Sequence, residues 1–163
     1  MTSEIENPPH LDVFIEATKS VISAMAMTEV RPGAHSIKDT NKVFGAVTGI
    51  IGLAGPMVHA TMAISFEEAS IFEIFTNMLG DTVTEISNDI LDAVGEFTNM
   101  ICGDSKRRLA ERGIVLDMAT PLVISGHDVR IRDRVTRRTY ILPFYTSKGC
   151  FVLETNLPGQ LGK

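Results

Sequence analysis

The first hydrophobic pattern along the chain is that of an amphipathic helix. In LDVFIEATKSVISAMAM (11–27), apolar residues recur three and four positions apart, which places them on one face of an α-helix. The residues of this face are Leu11, Phe14, Ile15, Thr18, Val21, Ile22 and Met25. Pro32 and Gly33 follow in EVRPG, so the helix is predicted to end before them.

The next two apolar runs predict a β-hairpin. VFGAVTGIIGL (43–53) and PMVHATMAIS (56–65) are rich in small and β-branched residues and flank the turn signal Ala54-Gly55-Pro56. Glycine, proline and histidine interrupt the combined stretch, which favours paired strands over a membrane-spanning helix. We therefore expect no membrane partner.

A helix is predicted directly after the hairpin. Ser65 and Glu68 have the spacing of a capping box at the start of FEEASIFEIFTNML (66–79), and Gly80 supplies the stop.

A longer helix follows, and its two sides differ in character. Thr82 and Glu85 repeat the capping spacing, and the helix is predicted to run to Arg112 with Gly113 as its terminator. Its apolar side carries Ile86, Ile90, Val94, Phe97 and Ile101. Its polar side, within about 80° at 100° per residue, carries Glu85, Asp89, Asp92, Glu96 and Asn99.

The last third of the chain is predicted to form strands. These are PLVISG (121–126), VRIRDRVTRRTYILPFY (129–145) and GCFVLETNL (149–157), with TSKG (146–149) as the turn of a second hairpin. The sequence therefore predicts one α+β domain over 1–163, with an antiparallel sheet of about six strands packed against long helices. Residues 1–10 are predicted to be a polar N-terminal tail and residues 157–163 a C-terminal tail.

Composition narrows the class of protein. The chain of 163 residues is 44% hydrophobic and 21% charged, close to globular averages, and its net charge of −5 argues against a nucleic acid partner. Cys102 and Cys150 are far apart and form no CxxC pair, which favours reduced thiols and disfavours a zinc site. The first residues do not resemble a secretory signal, so we expect a cytoplasmic protein.

The polar side of the long helix has three possible explanations. It is a solvated acidic face, a docking surface for a basic partner with Glu96 and Asn99 as specific contacts, or a metal site formed by Asp89, Asp92 and Glu96. Acidic residues one turn apart repel each other, and Gly95 costs the helix about 1 kcal/mol relative to alanine. A glycine also clears space for close approach of another surface.

Two helices show a weak internal similarity. EATKSVISAM (16–25) can be laid over DAVGEFTNMI (92–101), and both segments are followed by a break and then strands. In that alignment Ser20 and Ser23 occupy the places of Glu96 and Asn99.

The segment DAVGEFTNMICG (92–103) resembles the signature of the CheC/CheX family of chemotaxis phosphatases, in which a helix bears Glu-x-x-Asn followed by a small-residue break. VTGIIGL, PLVISG and GCFVLETNL are similar to the family's layout, and the resemblance runs roughly from Leu11 to Asn156. One Glu-x-x-Asn motif instead of two resembles CheX more closely than CheC, which carries the motif in both pseudo-repeats.

This resemblance implies hydrolysis of the phospho-aspartate of a CheY-type response regulator. Asn99 would orient the attacking water, and Glu96 would pair with the receiver's active-site lysine. Asp89, Asp92 and Gly95 would add partner contacts. No cofactor is expected in this chain, because the Mg²⁺ would belong to the receiver. The resemblance also implies a homodimer that joins sheet edges. The alternative is a non-catalytic module that binds a receiver, or a flagellar or signalling partner, through the same face.

Three other features have structural explanations. His59 lies in a strand pattern and is predicted to be an ordinary sheet residue, and Cys102 is predicted to be a small core residue. The basic run RIRDRVTRR (130–138) is predicted to be a solvated strand edge or a dimer contact.

Overall fold

The fold is α+β, as the sequence predicts. A computed structural model describes residues 10–132 and 137–159, and in this part of the chain every strand pair is antiparallel. The helices are α1 Leu11–Ala26, α2 Glu68–Leu79 and α3 Asn88–Glu111. The strands are β1 Arg31–Pro32, β2 Ser36–Ile37, β3 Val47–Gly55, β4 Val58–Phe66, β5 Asp117–Met118, β6 Leu122–Ser125, β7 Tyr140–Tyr145 and β8 Cys150–Thr155.

The hairpin of β3 and β4 lies inside the sheet. The strand order is β1-β7-β8-β4-β3-β5, with β2 also paired to β7 and β6 also paired to β3. The hairpin pairs in register from Val47–Phe66 to Gly55–Val58, which confirms the predicted hairpin. Its two turn residues are Pro56 and Met57, so the turn lies slightly later than the predicted Ala54-Gly55-Pro56.

The three helices share one hydrophobic core with the sheet. Alternation along β4 directs Val58, Ala60, Met62, Ile64 and Phe66 into that core. No helix in residues 10–132 and 137–159 combines the length and the apolar character needed to cross a membrane.

The predicted cap of α2 is wrong. Ser65 is a buried residue of β4, where its hydroxyl lies 2.8 Å from the Thr48 hydroxyl, so it is not available to cap a helix. The helix begins at Glu68. Its end is confirmed, because Gly80 adopts the left-handed conformation with φ of 81° and donates its N–H to Thr76.

The long helix α3 starts later than predicted. Ser87 caps it by accepting a hydrogen bond from the Ile90 N–H at 3.4 Å, so Thr82 and Glu85 precede the helix. The predicted terminator is confirmed: Gly113 has φ of 83°, and the Ile114 N–H bonds to the Leu109 carbonyl at 3.0 Å.

The late strands are partly as predicted. The strands β6 and β8 and the Thr146–Gly149 turn are confirmed. The predicted strand 129–145 is too long, because β7 begins only at Tyr140 and Arg130 forms an isolated bridge with Lys42. The part of that prediction at 133–136 lies outside the described residues.

The predicted tails are only partly described. Residues 1–9 and 160–163 lie outside the described part of the chain, and Leu157, the first residue of the predicted C-terminal tail, is buried in the core.

Candidate functional site

The apolar side of α3 fixes the orientation of the helix. Ile90, Val94, Phe97 and Ile101 are fully buried, as predicted, each with 0% exposure. The fifth predicted residue, Ile86, precedes the helix and is partly buried against the same core. Because this side is anchored, the opposite side of α3 has to face away from the core.

The polar side of α3 presents most of the predicted site residues. Asp89, Asp92 and Glu96 are exposed and Asn99 is half-buried. Glu85 does not share this face, because the helix begins only at Asn88. Within residues 10–132 and 137–159, the side chains of Glu96 and Asn99 have no hydrogen bond or ion pair. Both groups are therefore free to bind another molecule.

A close contact holds α3 against β3 near this pair. A Cβ atom at Gly49 would lie 1.9 Å from the Oγ1 atom of Thr98, so β3 needs glycine at this point. The buried Thr98 hydroxyl donates to the Val94 carbonyl at 2.7 Å. This contact fixes the helix at the residue immediately before Asn99.

Gly95 faces a neighbouring strand. A Cβ atom there would lie 3.4 Å from the Cγ2 atom of Val123 in β6, which is ordinary contact distance, so packing of α3 against β6 does not by itself require glycine at this position. Val123 could not be identified from the sequence as a neighbour of the site. Four-residue β6 pairs with β3, and this pairing depends on long-range contacts that local periodicity does not encode.

The charges of α3 are unevenly compensated along its length. In the C-terminal half, Asp104 accepts hydrogen bonds at 2.8 Å from both Arg107 and Arg108. Burial opposes ionisation of Asp104, but these hydrogen bonds outweigh it and lower the pKa of the carboxyl. Among the described residues, Asp89, Asp92 and Glu96 have no ion pair. Within the described part of the chain, the N-terminal half of the face is therefore an uncompensated acidic surface.

We also searched the polar side of α3 for a metal site and for a reactive thiol. In the part of the chain that the structure describes, no group of three or more His, Cys, Asp or Glu residues is placed to hold a metal ion. The metal-site explanation for Asp89, Asp92 and Glu96 therefore has no support. Cys102 is buried in the core as predicted, and burial raises the pKa of its thiol to about 12.

Two cavities lie away from Glu96 and Asn99. One of about 700 Å³ is bounded by the sheet residues Thr48, Thr61 and Ser65. The other, of about 400 Å³, is lined by residues that include Ser20 and Ser23. Glu96 and Asn99 line neither of these two cavities.

His59 and the described part of the basic run form no hydrogen bond with Glu96 or Asn99. His59 lies in β4 with an exposed side chain, and its carbonyl accepts a hydrogen bond from Arg137 at 2.6 Å. In the described part of the basic run, the only strand pairing is the isolated bridge between Arg130 and Lys42.

Comparison with known proteins agrees with this geometry. The family model for the chemotaxis phosphatase CheX matches residues 47–145. The CheY-P phosphatase CheX of Thermotoga maritima is 25% identical over 124 residues, covering 76% of this chain and 79% of the relative.

Solved structures show the same fold. The chemotaxis protein CheX from Vibrio vulnificus is 36% identical with a TM-score of 0.83, covering 90% of this chain and 97% of its own. CheX in a CheX–CheY–BeF₃–Mg²⁺ complex from Borrelia burgdorferi is 20% identical with a TM-score of 0.76, covering 91% and 97%. The match to the family model, which spans more than half of the chain, confirms the predicted resemblance: the chain belongs to the CheX family of chemotaxis phosphatases.

Proposed function

We propose that this protein hydrolyses the aspartyl phosphate of a CheY-type response regulator, using Glu96 and Asn99. One observation carries the proposal: both side chains lie without partners among the described residues, on the exposed face of a helix whose opposite face is buried in the core. The phosphatase activity named for the Thermotoga maritima relative and the CheX–CheY complex from Borrelia burgdorferi support this choice of substrate.

Asn99 would position the attacking water. Its amide does not titrate near neutral pH, but its carbonyl oxygen can accept a hydrogen bond from water, and its NH₂ can donate to a phosphoryl oxygen. Water attacks phosphorus, the bond to the aspartyl oxygen breaks, and the receiver's carboxylate leaves with that electron pair. The water's proton goes to a phosphoryl oxygen. Because the transition state is loose and the leaving group stable, placement of the water supplies most of the catalysis.

Glu96 would hold the receiver in place. It lies three residues before Asn99, so the two side chains project from neighbouring turns of one face. The receiver's active-site lysine is the expected contact of Glu96, and the uncompensated Asp89 and Asp92 extend the acidic surface that would attract it. The Mg²⁺ that the phosphoryl group requires would arrive bound to the receiver.

The decisive experiment follows the decay of a ³²P-labelled CheY-type receiver with and without this protein. We expect wild type to accelerate decay and Asn99→Ala to lower the rate about 100-fold, because a misplaced water is a poor nucleophile. Binding to the receiver should survive. Asn41→Ala is the matched control, since Asn41 is an exposed asparagine outside α3. If wild type binds the receiver but leaves its decay unchanged, the protein is a binding module.

Glu96 is tested in the same assay. Glu96→Ala should raise the apparent KM and weaken complex formation, whereas Glu85→Ala, which removes an exposed glutamate before the helix, should change neither. Loss of turnover at unchanged affinity would assign Glu96 to the transition state instead.

We further propose a cytoplasmic homodimer formed by joining sheet edges. The strand order leaves β6 as one edge of the described sheet, and its Leu122 is 61% exposed. Light scattering should therefore give a molecular mass in solution of twice the 17.8 kDa of one chain. A mass equal to that of one chain at all concentrations would rule out the dimer.

A further inference from the structure

A second glycine lies on the exposed face of α3 beyond the proposed catalytic pair. Gly103 follows Asn99 by four residues and Glu96 by seven, the spacing that keeps residues on one side of a helix. It is half-buried, and Met100 beside it is 39% exposed. Neither residue carries charge, so this part of the face suits close van der Waals contact.

The fold itself does not require a glycine at this position. The nearest atom to a Cβ built on Gly103 is the Sδ of Met118, at 3.9 Å, which is ordinary contact distance. At Gly49, by contrast, the fold does require glycine, because a Cβ atom there would lie only 1.9 Å from the Oγ1 atom of Thr98. Gly103 also has no positive φ and lies well inside α3. Alanine would therefore fit both the space and the backbone.

Glycine is nevertheless a poor residue for this location. In a helix interior it is less favourable than every residue except proline, because it has the most backbone freedom to lose. The chain thus carries a helix-weakening residue that its own packing does not explain. It does so on the same face as Glu96 and Asn99, one turn beyond the latter.

We infer that Gly103 is the point at which the phosphorylated receiver approaches the backbone of α3 most closely. This inference rests on the proposed function. The Asn99 side chain is short, so it can order a water on the phosphoryl group only if the receiver lies close to the helix. A side chain at 103 would hold the receiver away and lengthen that distance. Gly103 is therefore a positioning residue for the reaction.

The test is a substitution whose effects on stability and on binding have opposite signs. Gly103→Ala should raise the melting temperature by about 2–4 °C, because alanine favours the helix. It should also weaken binding of the receiver about tenfold and raise KM, because the added methyl overpacks the interface. The binding probe is the same CheY-type receiver loaded with BeF₃⁻ and Mg²⁺.

Ala24→Gly is the control for helix stability. Ala24 is exposed on α1, away from Glu96 and Asn99, so this change should lower the melting temperature and leave receiver binding unchanged. Gly103→Leu should bind more weakly than Gly103→Ala while remaining folded.

Each other outcome has a separate meaning. Unchanged binding by a stabilised Gly103→Ala variant would overturn the inference and leave the proposed function intact. A lower melting temperature for that variant would also overturn it, because the fold would then require the glycine. If wild type fails to accelerate receiver decay, the proposed function itself is wrong.

Discussion

The helices α1 and α3 are built alike on one side and differ on the other. Each buries a continuous apolar face in the shared core, where Phe14 and Phe97 both have 0% exposure. On the outer side, α1 presents Ser20 and Ser23 where α3 presents Glu96 and Asn99 in the alignment of the two segments. Both helices therefore satisfy the packing of the core, whereas of the two only α3 carries the pair that we propose for phosphoryl transfer.

The surroundings of the two outer faces also differ. Ser20 and Ser23 line a cavity of about 400 Å³ where the acids Glu16 and Glu29 balance the cations Lys19 and Arg108. Glu96 instead follows two acidic residues, Asp89 and Asp92, that no cation within the described residues compensates. The electrostatic character of each face therefore comes from neighbouring side chains as well as from the pair itself.

The largest expected effect tests the similarity of the packed sides. Phe97→Ala and Phe14→Ala should each lower the free energy of unfolding by about 3–5 kcal/mol, because each leaves a cavity in the shared core. Urea unfolding of the two variants measures this. Ser20→Ala, at an exposed position, should change stability by less than about 0.5 kcal/mol. A loss below about 1 kcal/mol for Phe14→Ala alone would show that α1 is not anchored as α3 is.

The limits of sequence-based prediction follow the same division between packed and exposed sides. The apolar side of α3 and the outward direction of Glu96 and Asn99 were predicted correctly, because helical spacing alone determines them. The start of α3 was predicted wrongly. Thr82 and Glu85 have the spacing of a capping box, but Ser87 is the residue that caps the helix.

Predictions were also wrong where pairing between strands distant in the sequence determines the local structure. Ser65 has capping spacing in the sequence, but pairing of β3 with β4 buries its hydroxyl against Thr48. The strands that flank α3 are only two and four residues long, so the contacts of Val123 and Met118 with the helix could not be predicted. Their position depends on β3, more than sixty residues earlier in the chain.

A smaller effect is expected where the two helices meet. The Arg112 guanidinium at the end of α3 donates to Asp12 at the start of α1, with one distance of 3.1 Å, and this hydrogen bond lowers the pKa of the Asp12 carboxyl. The side chains are 42% and 65% exposed, so Asp12→Asn should cost only about 0.5 kcal/mol of unfolding free energy at neutral pH.

The pH dependence of that cost has a defined sign. Because the folded-state pKa of Asp12 is depressed, its contribution is present above the ordinary aspartate pKa and is lost as pH falls through the folded-state value. Urea unfolding of wild type and Asp12→Asn should therefore converge in acid and at high salt. A difference that persists in strong acid would assign the effect to packing.

The smallest expected effect comes from transferring the proposed catalytic pair to α1. S20E and S23N, added to an Asn99→Ala background, should raise the rate of receiver dephosphorylation less than about twofold, because Lys19 pairs with Glu16 beside these positions and leaves no uncompensated acidic surface there to attract a receiver lysine.

The same two substitutions in wild type should leave its rate and melting temperature unchanged, which shows that the fold tolerates them at these exposed positions. Substantial rescue would mean that the two side chains alone distinguish α3 from α1. Absence of rescue, with the control intact, would place the distinction in the acidic surface of α3 and in the clearance at Gly103 as much as in Glu96 and Asn99.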